Sequence, residues 1–206
     1  MAAFALTEPA AGSDAAALET TAQRRDNGYV LNGSKIFISN GAEAEIFSVF
    51  ATEDKALRHR GVIALVVEKG TKGFSVVKKE KKLGIRASST AQLAFDNCFV
   101  PMENRLGVEG QGFHIAMEAI DSSRVSVAAQ ALGIARACLD ASIRYSKERQ
   151  QFGKPIVEHQ AIQFMLADMA TGVDAARLLT YRAAWLKDRK KPFLKEAAMA
   201  KLFASE

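Results

Sequence analysis

The sequence predicts an α+β chain, with an all-β first half of barrel or sandwich type followed by an incomplete antiparallel helical bundle. Three observations predict it. Up to about Pro101 the chain is a run of short Val-, Ile- and Phe-rich segments separated by turn residues. From Phe113 to Arg149 there is no proline, and apolar residues recur at steps of three and four. A last helical pattern begins near Phe193–Glu196 and is still running when the chain stops at Glu206. The change of period divides the chain into residues 1–103 and 104–206.

The β half opens on "FALTEPAAGSD", Phe4–Asp14, an apolar run that meets a proline and then a small-residue loop. It reads as a strand end that delivers backbone N–H groups and hydroxyls to something, with no element before it to support the loop. "YVLNGSKIFISNG", Tyr29–Gly41, predicts a hairpin turning at Asn32–Gly33. Strands follow at Glu45–Thr52, Gly61–Glu68, Phe74–Glu80 and Thr90–Val100. In the last of these, Leu93, Phe95 and Phe99 share one parity and Asp96 takes the other, as in a half-buried strand. In the helical half, Leu132, Ala135, Leu139 and Ile143 form one stripe. Pro155 opens a second helix with the stripe Ile162, Met165, Met169, Val173 and Ala176. Two and a half helices leave apolar surface bare, which points to partner elements elsewhere.

Composition narrows the class. Hydrophobic residues make up 49% of the 206 and charged residues 25%, ordinary for a folded soluble domain. No apolar stretch is long enough to span a bilayer, so no membrane role is expected. Cys98 and Cys138 lie in separate apolar contexts and read as buried thiols of a reducing, cytoplasmic compartment. His59, His114 and His159 lack metal-ligand spacing, and no metal site is expected. The net charge of +5 rests largely on "VVKKEKK" (Val76–Lys82) and "KDRKK" (Lys187–Lys191). Both read as solvated faces, or as a patch for an anionic partner; no nucleic-acid-binding signature accompanies them.

Singly, the polar motifs are bland. Thr7 and Ser13 fit ordinary turns, Arg149 fits a helix end where its charge offsets the dipole, and Asp121 with Arg124 fits a surface ion pair worth about 0.2–0.5 kcal/mol. Their order and spacing are not bland. "ALTEPAAGSDAAA", "NGSKIFISNG", "KLGIRASST", "GQGFHIAMEAIDSSRVSVAAQALGIA" and "KERQQFGKPIVEHQAIQFMLADMA" together resemble the acyl-CoA dehydrogenase family, over essentially the whole chain and closest to its short-chain, butyryl-like bacterial members.

The resemblance implies a β middle domain and part of a C-terminal helical domain, with FAD as cofactor. It places Phe4, Ala5, Leu6, Thr7 and Ser13 along the flavin, the Leu6–Thr7 backbone and the Thr7 hydroxyl reaching the polar edge of the ring. Phe37, Ile38 and Ser39 would contact the ring, with Phe37 where several members carry Trp and Ser39 where many carry Thr. Ser13, Phe113, Asp121 and Arg124 would meet the acyl-CoA. Arg149, Phe152 and Gln160 would meet the FAD of a neighbouring subunit, which implies a homo-oligomer, a dimer or tetramer, in the full-length parent.

The implied reaction is α,β-dehydrogenation of an acyl-CoA, the α-proton going to a glutamate and the β-hydrogen to the flavin, with an electron-transfer flavoprotein as electron acceptor. The family's usual glutamate corresponds to a position beyond Glu206. The alternative position, just before the helix arginine, holds Ser123. The chain is therefore expected to be an inactive fragment of a larger bacterial enzyme. Two other readings are a non-catalytic flavin- or acyl-CoA-binding module and a nucleic-acid-associated relative.

Overall fold

A computed structural model describes all residues, Met1–Glu206, and divides them into two compact units, Met1–Met117 and Glu118–Glu206. The first unit is one eight-stranded sheet. Its strands are β1 (Ala2–Ala5), β2 (Thr21–Arg25), β3 (Gly28–Ser39), β4 (Ile46–Thr52), β5 (Val62–Glu68), β6 (Phe74–Lys79), β7 (Thr90–Pro101) and β8 (Arg105–Leu106). The order is β6-β7-β3-β2-β4-β5-β8, with β1 paired to β4 in parallel. The ends of that order, β6 and β8, do not pair, so the sheet is open and the closed-barrel form of the expected β unit does not occur. Strands β4 and β5 are almost wholly apolar and buried, and Phe47, Val49, Ile63, Leu65 and Val67 anchor the core. That run of β-branched and aromatic residues is what a two-sided buried strand requires.

Two corrections to the sequence reading come from β3 and β7. Tyr29–Ser39 is not a hairpin: β3 runs straight through Asn32–Gly33, and the turn from β2 falls earlier, at Asp26–Asn27. Gly33 is present because a Cβ there would lie 2.6 Å from the Thr20 hydroxyl oxygen and 2.7 Å from its Cα. The glycine admits a close chain approach, which in sequence looks the same as a turn.

The parity of β7 also changes. Leu31 pairs with Cys98 and Gly33 with Phe95, so Asp96 and Asn97 together face Asn32 across a β-bulge. Asn97 takes φ 48 and donates its N–H to Asn32 Oδ1 at 2.8 Å. Beyond the bulge Cys98 and Val100 turn inward, and Phe99, expected beside Leu93 and Phe95, is 44% exposed.

The loop expected to lack support is held within the chain. Ala3 and Ala5 of β1 are buried where the strand lies along β4, and Phe4 packs on Phe50 with ring centroids 4.8 Å apart. Cys98 is buried, and burial pushes its thiol up to about 11. Cys138, expected buried, is exposed.

The second unit is helical. Helix α1 (Gly112–Glu148) begins in the first unit and runs through the second. A two-residue-stranded hairpin follows, β9 (Gln150–Gln151) and β10 (Lys154–Pro155), then α2 (Gln160–Asp188) and α3 (Leu194–Ser205). Pro155 therefore lies in β10, and α2 starts five residues later than the proline suggested. Its predicted stripe holds except at Met165, which is 61% exposed. A small-residue core of Ala128, Ala183, Ala197 and Ala200 with Val125 lets the helices approach closely.

Around that core the unit shows Val127, Ile134, Phe164, Leu178, Trp185, Leu202 and Phe203 to solvent. A cleft of about 690 Å³ between Ala135 of α1, Met169 and Val173 of α2 and Phe203 of α3 is almost wholly apolar. Apolar exposure on this scale drives association. The purified chain is expected to self-associate, with scattering mass rising with concentration. A monomer at every dilution would contradict this.

Candidate functional site

Glu8 and Lys35 organise the loop after β1. Lys35 lies in mid-strand on β3 with its side chain fully buried. Its ammonium donates to Glu8 Oε1 at 2.6 Å and to the Leu6 carbonyl at 2.9 Å. Glu8 accepts two backbone N–H groups besides, Glu19 on Oε2 at 2.6 Å and Thr20 on Oε1 at 3.1 Å. Pro9 sets the tight turn that Ala11 N–H closes on the Glu8 carbonyl at 3.2 Å. One residue along β3 from Lys35, Ile36 N–H donates to the Thr7 carbonyl at 2.9 Å. Leu6, Thr7 and Glu8 are thus fixed to β3 at three points. The Thr7 N–H donates to no backbone carbonyl.

The electrostatics of the pair follow from its burial. Burial alone would push the Glu8 carboxyl up. The Lys35 charge, together with hydrogen bonds from Lys35, Glu19 and Thr20, outweighs it and holds Glu8 below its ordinary value of 4.5. Burial pulls the Lys35 ammonium down to about 8, against the pull of Glu8.

Immediately beyond Lys35 the strand bulges. Lys35 pairs with Leu93 and Ile38 with Ala91, so Ile36 and Phe37 together face Gln92. Phe37 takes φ 58, a conformation an aromatic residue rarely adopts, and is 62% exposed. The bulge resets the alternation: Lys35 and Ile38 point inward, Phe37 and Ser39 outward. A regular strand would have buried Phe37 on the same side as Lys35. Asn40, also at positive φ, then ties the strand end to the Lys79–Thr90 loop, donating to the Ser89 carbonyl at 2.8 Å. Phe37, Ile38 and Ser39 therefore end β3 beside the point where Thr7 is tied to it, with Phe37 and Ser39 exposed and Ile38 buried. Phe4 and Ala5 lie in β1, which leads into the Thr7 loop. Ser13 lies exposed on the far side of the Glu8–Ala11 turn. Phe113 is half-buried at the start of α1 against His59, with rings 5.9 Å apart.

In the second unit Asp121 and Arg124 form the expected ion pair one turn apart on α1. Ser123 between them turns back to the Ile120 carbonyl at 2.7 Å. Arg149, exposed, follows the last residue of α1, and its carbonyl accepts Ile156 N–H at 2.8 Å. The hairpin it opens turns at Phe152–Gly153, with φ 58 and 75, the two left-handed residues of a type I′ turn. Phe152 is 92% exposed there, and His159 packs against its ring edge at 5.8 Å, one residue before the exposed Gln160. The hairpin brings Arg149, Phe152 and Gln160 into one connection between α1 and α2.

Sequence reasoning missed Glu8 and Lys35. The available signal was a lysine inside an apolar strand, in "SKIFI", with a glutamate at a Pro turn to pair with it.

Residues 3–98 match the middle domain of acyl-CoA dehydrogenases and residues 110–206 match their C-terminal domain. The chain is 54% identical over 203 residues to the mitochondrial short-chain specific acyl-CoA dehydrogenase of Rattus norvegicus, covering 98% of this chain and 49% of that protein. Among solved structures, butyryl-CoA dehydrogenase from Megasphaera elsdenii superposes with a TM-score of 0.97 at 52% identity, over 99% of this chain and 54% of that one. A chain in a structure concerned with the electron transferring flavoprotein of Acidaminococcus fermentans superposes at 0.96 with 55% identity, over the same shares. The chain spans about half the length of the curated relatives it matches.

Glu8 below its ordinary value contributes stability that is fully present above pH 4.5 and lost as pH falls through its folded-state value. Glu8→Gln leaves a buried ammonium unpaired and is expected to cost about 3–5 kcal/mol at neutral pH. The gap to the wild type should narrow as pH falls below 4.5. Melting temperatures from pH 3 to 7 measure this, and a gap independent of pH would contradict it.

Proposed function

This chain belongs to the acyl-CoA dehydrogenase family, and we propose that its 206 residues supply part of an FAD site and part of an acyl-CoA site. The parent activity on this reading is oxidation of a short-chain acyl-CoA to its trans-2-enoyl-CoA. Members of the family are FAD-dependent flavoproteins. The observation that carries the reading is the stretch of β3 where a bulge turns Phe37 and Ser39 outward beside the anchored Thr7 loop.

The residues fit the cofactor. A flavin needs donors at its polar edge and an apolar face to lie against. Thr7 offers an N–H with no backbone acceptor, and Phe37 offers an exposed ring held by the fold. Ser39 adds a hydroxyl from the same stretch. Arg149 supplies a planar guanidinium suited to a pyrophosphate, through paired charge-assisted bonds. Phe152 and Gln160 share its hairpin connection. When bound, FAD takes up the hydride removed from the substrate. Asp121 and Arg124 present an acceptor and a charged donor from one helix face to the CoA portion, with Ser13 and Phe113 completing the substrate set.

The proton has no recipient among the residues assigned here. Ser123 stands where some family members place a base, but a hydroxyl engaged with the Ile120 carbonyl is not a base at neutral pH. On this reading the 206-residue chain holds substrate and cofactor contacts without turning over. Arg149 and Gln160 are assigned to the FAD of a second subunit, so the parent is a homo-oligomer, a dimer or tetramer. An electron-transfer flavoprotein is its electron acceptor, and the bacterial cytoplasm its setting.

The purified chain is expected to produce no enoyl-CoA from butyryl-CoA with FAD and a dye acceptor. Loss of a general base alone removes about 10²–10⁴-fold in rate. It is also expected to desalt without the yellow of bound flavin, because the contacts are shared between subunits. Robust turnover would overturn the absence of a base among these residues, and one flavin retained per chain would overturn the sharing of the flavin contacts between subunits.

A further inference from the structure

Lys35 poses a physical question. A buried ion pair is seldom more stable than well-packed apolar residues of the same volume, so its cost is offset only by what it positions. The ammonium touches two things, the Glu8 carboxylate and the Leu6 carbonyl. The Leu6 carbonyl and the Thr7 N–H are the two ends of one peptide group. A cation on the oxygen draws charge through the amide and makes the N–H at the other end a stronger donor.

We infer that Lys35, held by Glu8, is a positioning residue for the flavin that acts through the Leu6–Thr7 peptide, orienting it and strengthening the Thr7 N–H as a donor to the ring edge. The inference rests on the flavin reading above. Its second support is the way the peptide is fixed. Lys35 holds the oxygen of the Leu6–Thr7 unit, Ile36 N–H holds the next carbonyl at 2.9 Å, and Glu8, two residues on, is tied to Glu19 and Thr20. The Leu6, Thr7 and Glu8 carbonyls and the Glu8 carboxylate all have partners inside the chain, and the Thr7 N–H donates to no backbone carbonyl. Its third support is strand parity. The bulge at Ile36–Phe37 lets Lys35 point inward to the peptide while Phe37, two residues on, points outward. One strand thus carries the buried charge that tunes the donor and the exposed ring beside it.

The experiment uses the 206-residue chain with isotope-labelled backbone and FAD as titrant. Because Lys35→Met alone strands the Glu8 charge and can unfold the loop, the informative variant is the neutral pair Glu8→Gln with Lys35→Met. Lys35→Arg serves as the conservative rescue. In the wild type, FAD is expected to shift the Thr7 amide proton downfield. In the neutral-pair variant the Thr7 amide should lie upfield before FAD is added, the Leu65 and Val67 amides of β5 should stay in place, and FAD affinity should fall about tenfold. Lys35→Arg should recover most of both. A folded neutral-pair variant with an unmoved Thr7 amide, or with unchanged FAD affinity, overturns the inference and leaves the flavin reading standing. A wild-type Thr7 amide insensitive to saturating FAD overturns the flavin reading and the inference with it.

Discussion

A lysine and a glutamate buried together inside the sheet hold the functional end of the first unit in place. Lys35 and Glu8, 2.6 Å apart and almost without solvent contact, join three segments distant in sequence: the loop after β1, the residues Glu19–Thr20 that lead into β2, and the middle of β3. Remove one partner and a charge is stranded in the interior. Remove both and the fold can survive while the loop loses its anchor. The pair is therefore better understood as a locating device than as a source of stability. Pro9 shortens the turn, Thr20 is drawn beneath Gly33, and the Leu6–Thr7 peptide is presented in one orientation.

The second constraint is the placement of extra residues in β3 and β7. A bulge at Asn97 and another at Ile36–Phe37 each reverse the inward and outward alternation. Without the second, Phe37 would join the core and Ser39 would follow it. Left-handed φ values at Phe37 and at Phe152 are unfavourable for aromatic side chains, and both rings are left exposed. The bulge accounts for the first and the tight β9–β10 turn for the second. In the second unit the same logic runs through packing. Alanines at the helix contacts permit close approach, and the large apolar residues are left outside them.

Much of this was legible in the sequence, and the misses have physical causes. Strands β4 to β7 and the three long helices follow from composition and period, because a single dominant signal marks each. Strand β2, "TAQRR", has no such signal and takes its conformation from its neighbours. Asn32–Gly33 was legible as a turn because a glycine at positive φ where two chains approach closely inside a strand looks like a glycine in a turn. Phe99 was misplaced because parity counts assume a regular strand and Asn97 interrupts it. The proposed site residues Thr7, Phe37, Ser39, Asp121, Arg124 and Arg149 were assigned through motif order, which carries no geometry. Lys35 and Glu8 were missed because a pair 27 residues apart is formed by the fold alone. The apparent lack of support for the opening loop was an error of the same kind. Its support is β3, which follows it in sequence.

The most direct test of the account is a crystal structure of the chain grown with a high concentration of FAD. The isoalloxazine ring is expected against Phe37 with its polar edge at the Thr7 N–H, and the Lys35 ammonium still on the Leu6 carbonyl. A ring bound elsewhere on the chain, or bound at Phe37 with the Leu6–Thr7 peptide flipped away from Lys35, would contradict it.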